Sequence, residues 1–507
     1  LEGAILIYLR RKKRVAPNKS LEGRAEYENQ LEQNEEGFEG AYVKDPIPGR
    51  YDWVYDLDLT SMYPNIIISL NISPETKVGK VDNWNVEEYV KNASGNLYIS
   101  GTPYSPADFK AMLTENNMSI ASNGVLYKKP GEDGEMGTVP SILVKWFDER
   151  KNLRKLAKKH ADAKEWELYE FYDQRQKIQK ILLNSIYGCL GLPVFRFYDK
   201  DNAEAVTLTG VDIIKTANKA INQYYKKTLN NNDNKDYVIY VDTDSCFASA
   251  LPIIKHKMPD IDLNDEKQMT EAILTVCTEA QKHVNDTFNV MADRMFNVQK
   301  HRFDAKQEVI AKTSFWLAKK RYAQFIINKG GVVCDELEVK GIDVVRTSFP
   351  AKFRSFMHDF LINLLKKVDK ETIDKNILDF KENIKNLNVV DIAKNTSVKF
   401  QSQDKTKVYD NNKRIPFKFV SGTPAQAKAA LAYNDLLVKW NLVKSVPKIL
   451  HGQKIKWVYM KQNEYGIEGL AMKADGTDPD QIMDFIIKYI DREAMYEQEL
   501  KSKLIDF

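Results

Sequence analysis

Two β-rich runs of the sequence end in aspartate, and they constrain the fold more than any other feature. The segment from Tyr237 to Ala248 reads YVIYVDTDSCFA, which predicts a hairpin with DTDS at its turn. The run WVYDLDL also ends in a carboxylate, Asp58, just before a turn. Carboxylates that are desolvated at a rigid strand end repel each other unless a cation lies beside them. The pattern therefore predicts a divalent-ion site if the strand ends meet, and ordinary Asp-containing turns if they do not.

Length, charge and cysteine spacing exclude several classes of protein. At 507 residues the chain exceeds one hydrophobic core, so we expect roughly three domains. A net charge of +4, from 75 basic and 71 acidic residues, requires any nucleic-acid surface to be local. The four cysteines are far apart, which argues against a zinc site or disulfide framework and fits a reducing compartment. The apolar run near the N-terminus is too short to cross a bilayer, so we expect a soluble cytoplasmic chain without a membrane partner.

Helical periodicity begins at Ser141 and resumes from about Glu165 to Cys189, which predicts an antiparallel helical hairpin. Residues 192–345 mix strand and helix patterns, and a strand pattern includes FWLAKKRYAQFII. Beyond about Thr347, lysine-laced amphipathic stretches predict a mainly helical final domain.

Both predicted helices of the hairpin carry polar residues in unusual places. On the second helix, Lys180, Asn184 and Tyr187 advance by four and three residues and so share one face. A solvated surface is the ordinary explanation, although Asn and Tyr are poor choices for it. On the first helix, Arg150 interrupts the apolar stripe, and Arg154 follows one turn later. An arginine there is costly unless it meets an anion.

Four short motifs resemble, in the right order, those of family B DNA polymerases. They are DLTSMYPNII at Asp58–Ile67, KILLNSIYG at Lys180–Gly188, YVDTDS at Tyr240–Ser245 and KKRY at Lys319–Tyr322. Each motif alone could be accidental, but four in order make coincidence remote. The wider sequence is most similar to the replicative polymerases of T-even-type phages, and the likeness weakens after about residue 350.

The resemblance implies an α+β fold with the architecture of a right hand. An antiparallel-sheet palm would comprise residues 1–139, with inserted loops at 76–139, and residues 192–346. A helical-hairpin fingers domain would occupy 140–191, and a mainly helical thumb 347–507.

The resemblance also implies two-metal-ion nucleotidyl transfer. Asp58 and Asp244 would bind two Mg²⁺ ions, for which Mn²⁺ could substitute, and the carbonyl of Leu59 would add a further oxygen. Asp242 would act on local charge and water as a third catalytic residue. Glu308 is a further acidic candidate near the ions.

Substrate contacts follow from the same resemblance, and the implied partners are dNTPs and primer-template DNA. Tyr63 would select deoxynucleotides by excluding a 2′-hydroxyl, although core packing is the alternative for any Tyr in an apolar run. The implied nucleotide-binding residues are Ser61, Met62, Tyr63, Arg150, Arg154, Lys180, Asn184 and Tyr187. The implied DNA-binding residues are Gly188, Lys319, Lys320, Arg321 and Tyr322.

Several family features are absent or altered. No DxE motif precedes Asp58, and the chain begins without Met, so we expect a fragment or one half of a divided protein that lacks proofreading. A separate exonuclease or N-terminal polypeptide is then an expected partner. FEGA at Phe38–Ala41 departs from the family motif that couples the two activities. The C-terminal LKSKLIDF predicts either a sliding-clamp contact or a frayed end.

Two other functions remain open at this point. Another palm enzyme, such as an RNA-dependent polymerase, is disfavoured by Tyr63. A catalytically inactive DNA-binding scaffold is disfavoured by the joint presence of Asp58, Asp244, Lys180 and Asn184.

Overall fold

The structure is a computed structural model that describes residues 1–19, 40–91, 97–99, 101–231, 233–400, 407–410 and 413–505. Phe38 and Glu39 of the FEGA motif lie outside the described residues, as do the last two residues of the predicted clamp-binding tail. Helices and antiparallel sheets together confirm the predicted α+β class. Within the described ranges, no helix combines the length and apolar character needed to cross a bilayer.

The chain divides into two compact units. The first comprises residues 1–47, 51–311 and 327–334, and the second comprises 48–50, 312–326 and 335–507. The predicted palm, fingers and thumb boundaries stay predictions, since this division is coarser than theirs.

The first unit contains nine α-helices and nine strands in its described part. Its helices are α1 (Glu2–Arg11), α2 (Met62–Leu70), α3 (Val86–Val90), α4 (Pro106–Glu115), α5 (Thr138–Asp162), α6 (Trp166–Leu190), α7 (Lys200–Thr228), α8 (Leu251–Lys257) and α9 (Glu266–Phe296). Its strands are β1 (Gly49–Leu59, whose first two residues belong to the second unit), β2 (Lys77–Lys80), β3 (Leu97–Ile99), β4 (Thr102–Tyr104), β5 (Met118–Ile120), β6 (Val125–Lys128), β7 (Val238–Asp242), β8 (Ser245–Ser249) and β9 (Ala305–Lys306).

Three long strands contain residues of both units. They are β10 (Val309–Ala318), β11 (Arg321–Lys329) and β12 (Val332–Lys340).

The described part of the second unit consists mainly of helices, as the sequence predicted. It also contains five strands, which the sequence did not predict. Its helices are α10 (Ala351–Leu365), α11 (Lys370–Asn383), α12 (Val389–Ile392), α13 (Ala425–Lys439), α14 (Asp480–Tyr489), α15 (Arg492–Met495), a π-helical turn at Tyr496–Lys501 and α16 (Ser502–Leu504). Its strands are β13 (Lys394–Ser397), β14 (Lys407–Asp410), β15 (Lys413–Phe419), β16 (Lys454–Tyr459) and β17 (Gly469–Lys473). The strands β13, β16 and β17 form one antiparallel sheet, and β14 pairs with β15.

Strand β1 carries Asp58, and two other elements pair with its end. It runs antiparallel to β8, which in turn pairs with β7 in the predicted hairpin. Short strand β9 pairs with the last two residues of β1, so that Asp58 lies opposite both Ser245 and Lys306. The middle of β1, residues 53–57, is buried on both faces of the sheet, and Asp58 follows it at the edge of this buried stretch.

The predicted helical hairpin is present as α5 and α6. The Nε of Arg150 donates to Gln176 Oε1 at 3.3 Å, and Gln179 Nε2 donates to Glu149 Oε2 at 3.0 Å, which confirms an antiparallel pair. Most buried residues of α5 lie near its start, and those of α6 lie near its end. The hairpin is therefore anchored where its two chain ends meet the rest of the first unit.

Candidate active site

The two predicted strand ends meet in the first unit. Leu59 N–H donates to the carbonyl oxygen of Asp244 at 2.7 Å, directly after the pairing of Asp58 with Ser245. The hairpin turn is tight, because Thr243 adopts a left-handed φ of 61° and its N–H donates to Tyr42 O at 3.0 Å. The structure therefore places Asp58 and Asp244 on adjacent strand ends.

The pKa of Asp58 is perturbed by its burial and by neighbouring acidic groups. Burial, and then the neighbouring charges of Asp244 and Glu308, raise the pKa of Asp58 to about 8. The ammonium of Lys180 on α6 opposes this by lowering the pKa of Asp58. A cation at this position would relieve the repulsion that the fold itself creates.

Asp56 is an acidic residue of the site that the sequence interpretation missed. It is 6% exposed, and its Oδ1 accepts hydrogen bonds from Glu308 N–H at 2.9 Å and Val309 N–H at 2.7 Å. Burial raises its pKa to about 7. Because alternate residues of a strand share a face, the spacing of Asp56 and Asp58 was a signal that could have identified it.

Tyr63 lies beside these carboxylates at the start of α2. Ser61 precedes the helix in a left-handed conformation with φ 46°, and Asn65 Nδ2 closes the turn by donating to Thr60 O at 2.7 Å. The ring centroids of Tyr63 and Tyr187 are 4.5 Å apart, and the two ring planes are tilted by 39°. Burial raises the pKa of Tyr63 to about 12, with further contributions from Tyr187 and Asp244. The structure thus brings residues of three predicted motifs together.

A cleft of about 790 Å³ lies between the start of α2, the helix α5 and the segment before β9. Arg150 is half-buried in it, and burial together with the charge of Arg154 lowers the pKa of Arg150. Three lysines of α5 also line this cleft. Its lining residues are Thr60, Ser61, Asn65, Phe147, Asp148, Arg150, Lys151, Arg154, Lys155, Lys158, Arg302 and Asp304. Six basic side chains against two acidic ones give this lining a charge that suits an anion.

Arg302 is a second residue that the sequence interpretation missed. Its own N–H donates to Ser69 Oγ at 2.9 Å, and two residues later the carbonyl of Asp304 accepts from Thr60 N–H at 3.0 Å. These bonds attach the segment to α2 and its preceding turn. No local pattern around Arg302 marks it, because the contact joins positions 233 residues apart.

The sequence profile of DNA polymerase family B matches residues 1–473 of the chain. This protein belongs to DNA polymerase family B.

Individual relatives in the family include phage and archaeal enzymes. The chain is 25% identical to "DNA-directed DNA polymerase" of Escherichia phage RB69, with 93% of this chain and 55% of the relative covered. It is 24% identical to the same-named protein of Enterobacteria phage T4, with 92% of this chain and 55% of the relative covered. It is 31% identical to "DNA polymerase 1" of Pyrococcus abyssi, over 48% of this chain and 24% of the relative. The chain therefore spans about half the length of the phage relatives.

The KKRY motif of this family B chain has a different local structure from the one predicted. Strand β10 ends at Ala318, Lys319 and Lys320 form the turn, and β11 begins at Arg321. The expectation of one continuous strand through this motif was wrong for the two lysines. The carbonyl of Lys320 would lie 1.9 Å from a Cβ added at Gly341, so this close approach depends on a glycine. All four motif residues belong to the second unit, and their contact with DNA stays a prediction.

The other predicted residues of the first unit lie on α6 and at the end of β7. Asn184 and Gly188 are exposed on α6, as is Lys180. Asp242 ends β7 and forms a bridge with Val43.

The donor set of this family B site suits Mg²⁺ held jointly by protein and substrate. Among the described residues, no group of three or more His, Cys, Asp or Glu is placed to hold a metal ion. Mg²⁺ commonly uses one or two carboxylates and completes its octahedron with phosphate oxygens and water. Two adjacent carboxylates, one with a pKa raised to about 8, fit that requirement.

Proposed function

We propose that this chain is a DNA-directed DNA polymerase that extends a primer with deoxynucleotides by two-metal-ion nucleotidyl transfer. The observation that carries the proposal is the meeting of Asp58 and Asp244 at adjacent strand ends. Membership of family B and the names of the phage relatives support the same reaction class.

The acidic end of the sheet would hold the divalent ions. Asp58 and Asp244 would provide carboxylate oxygens, the Leu59 carbonyl a further oxygen, and Asp242 would act through local charge and water. When bound, two Mg²⁺ or Mn²⁺ ions would lower the pKa of the primer 3′-hydroxyl and neutralise the leaving pyrophosphate. Glu308, held by the hydrogen bond from its N–H to Asp56, would add negative charge beside them.

The transfer itself requires positioning rather than a side-chain nucleophile. The bond from the 3′-oxygen to the α-phosphorus forms as the bond to the β-phosphate oxygen breaks, and the hydroxyl proton passes to water. In the cleft, Arg150 and Arg154 would bind the triphosphate, which explains a half-buried arginine whose pKa is lowered. Lys180 and Asn184 would bind phosphate oxygens, and the amides of Ser61 and Met62 would do so at the start of α2.

Two aromatic rings would then define the nucleotide. Tyr63 would lie beneath the sugar and exclude a 2′-hydroxyl, and Tyr187 would pack against the nascent base pair. The 4.5 Å separation of these rings supports a single pocket for both tasks.

The remaining partners are proposals of the same kind. Primer-template DNA would contact Gly188 and the KKRY motif, whose residues are Lys319, Lys320, Arg321 and Tyr322. A separate exonuclease or N-terminal polypeptide would be a further partner. A sliding clamp would bind the C-terminal segment, and the reaction would take place in the cytoplasm of an infected bacterial host.

Primer extension with Mg²⁺ tests the proposal directly. The intact chain should extend a primed template, and Asp244→Ala should lower the rate by at least about 10³-fold because an ion ligand is lost. Asp260→Ala, which removes a carboxylate from an exposed loop of the same unit, is the matched control and should extend normally. Unchanged extension by Asp244→Ala would refute the site.

A further inference from the structure

Helix α7 meets the start of α2 at a glycine. A Cβ added to Gly210 would lie 3.0 Å from Tyr63 Cε1, 3.1 Å from Met62 Cε and 3.6 Å from Ile66 Cδ1. The first two distances are shorter than ordinary contacts of a Cβ atom, so a side chain at position 210 requires its neighbours to move. The ring edge of Tyr63 therefore lies against the helix backbone itself.

The surroundings of Gly210 limit which neighbour can move. Gly210 is buried within the 29-residue helix α7, and Ser122 N–H donates to the hydroxyl of the adjacent Thr209 at 3.2 Å. Helix α2 is buried at eight of its nine residues. Both backbones are thus held by their own packing, because buried interiors are close-packed and resist displacement. An added methyl group would displace the Met62 thioether, which is flexible, and the Tyr63 ring, which has only two side-chain torsions.

Helix propensity gives no reason for a glycine here. Glycine is among the least favourable residues in a helix interior, and alanine the most favourable. A glycine in a long buried helix is explained when another group must approach the backbone closely. At Gly210 the approaching groups are the Tyr63 ring and the flexible end of Met62, and the ring is the less adaptable of the two.

We infer that Gly210 is a positioning residue for sugar selection: its missing side chain sets the distance of the Tyr63 ring from α7, and so the room left for the sugar of the incoming nucleotide. The inference rests on the proposed function, since it takes Tyr63 as the residue that meets the sugar. Gly210 acts only through that ring and does not itself contact substrate.

Gly210→Ala is the variant that tests this role. It should displace the ring by a few tenths of an ångström, the amount by which such contacts must open. Misplacement of a positioning group by 1 Å can cost about 10²-fold, so we expect the KM for dNTP to rise about three- to tenfold with kcat nearly unchanged. The ratio of kcat/KM for dNTP to that for NTP should change by about threefold or more.

A double-mutant cycle separates positioning from a general effect on the helix. In a Tyr63→Ala background there is no ring to displace, so Gly210→Ala should leave the dNTP to NTP ratio within about threefold of that background. Gly3→Ala, which also adds a methyl group to a helix but has no atom within 4 Å of the added Cβ, should match the unmodified chain. If Gly210→Ala changes the dNTP to NTP ratio by less than threefold, the inference is overturned. The same holds if Gly210→Ala changes that ratio equally in the presence and in the absence of the Tyr63 ring.

A spectroscopic arm makes the inference independent of activity. With 3-fluorotyrosine placed at position 63 only, the ¹⁹F resonance should shift in Gly210→Ala and stay in place in Gly3→Ala. An unshifted resonance would contradict the positioning role even if the chain extended no primer. If Tyr63→Ala leaves the dNTP to NTP ratio unchanged, the proposed role of Tyr63 in sugar selection is refuted. If Tyr63→Ala changes that ratio but Gly210→Ala does not, only the inference about Gly210 is refuted.

Discussion

Asp56 in the first unit and Asp435 in the second are equally buried, each 6% exposed, but they are satisfied in different ways. The carboxylate of Asp435 receives both terminal nitrogens of Arg414, with Nη2 at 2.6 Å from Oδ2, and also the N–H of Phe417 at 2.9 Å. Asp56 receives two backbone N–H groups, and the nearby charge of Glu308 has the same sign as its own. One buried acid is neutralised by a cation, and the other is surrounded by further acids.

This contrast separates a buried carboxylate that an arginine neutralises from the carboxylates that we propose bind ions. A bidentate arginine satisfies the geometry and the charge of a buried acid at once. At the end of β1, burial and like charges raise the pKa of Asp56 to about 7 and that of Asp58 to about 8. Perturbed groups of this kind cluster at functional sites, where the stability lost is compensated elsewhere in the fold.

The largest effect should come from removing the cation that neutralises Asp435. Arg414→Ala leaves a buried carboxylate with one backbone partner, so we expect the free energy of unfolding to fall by about 3 to 5 kcal/mol. Urea denaturation measures this. The double variant Arg414→Met with Asp435→Leu should recover most of the loss, because replacing both charges by apolar groups removes the unpaired charge. A loss below about 1 kcal/mol in the single variant would remove the contrast between the two acids.

The second effect concerns pH and has the sign expected for an acid whose folded-state pKa is raised. Below about pH 3 Asp56 is protonated in both the folded and the unfolded state, so its burial costs no ionisation energy. As pH rises from about 4 to 7 the unfolded state ionises first, so the stability contributed by the protonated carboxyl is progressively lost, by roughly 2 to 4 kcal/mol. Asp56→Asn should lack this component. Urea denaturation in EDTA should therefore show the variant gaining stability relative to the unmodified chain across that pH range, and a constant difference would contradict the assignment.

The third effect tests whether a divalent cation binds at Asp58 and Asp244 in competition with a proton. A divalent ion must displace the proton from Asp58, whose pKa is about 8 because of burial and then the charge of Asp244. Affinity for Mn²⁺ should therefore rise about tenfold per pH unit between pH 6 and 8 and level off above it. Calorimetry in two buffers of different ionisation enthalpy should detect the released proton, and Asp58→Asn should abolish the pH-dependent part. Affinity that is constant from pH 6 to 8 would show that the ion does not compete with this proton.

Short-range rules account for the parts of the site that the sequence predicted. The β1 end, the β7–β8 hairpin and the α5–α6 pair follow from alternation, turn residues and helical periodicity, all of which operate within a few residues. The convergence of Asp58 and Asp244 joins positions far apart in the chain, so the strand patterns left it open and only the resemblance to family B polymerases implied it.

Long-range contacts account for what the sequence did not predict. Asp56 meets the amides of Glu308 and Val309, and the first of these contacts spans 252 residues. The turn at Lys319 and Lys320 contains no turn-forming residue type, and it is tied to a close approach at Gly341. Likewise, nothing in the residues around Gly210 indicates that a ring will lie against its backbone.

The smallest effect should come from an ion pair without burial, which separates the role of pairing from that of burial. Lys91 Nζ lies 3.3 Å from Glu87 Oε2 one helical turn away, and both side chains are 71% exposed. Water already solvates both charges, so Glu87→Gln should change the free energy of unfolding by less than about 0.5 kcal/mol in urea denaturation. A change above about 1 kcal/mol would mean that pairing alone stabilises this chain strongly. The difference between Asp56 and Asp435 would then reflect the presence of an arginine rather than the desolvation that both acids share.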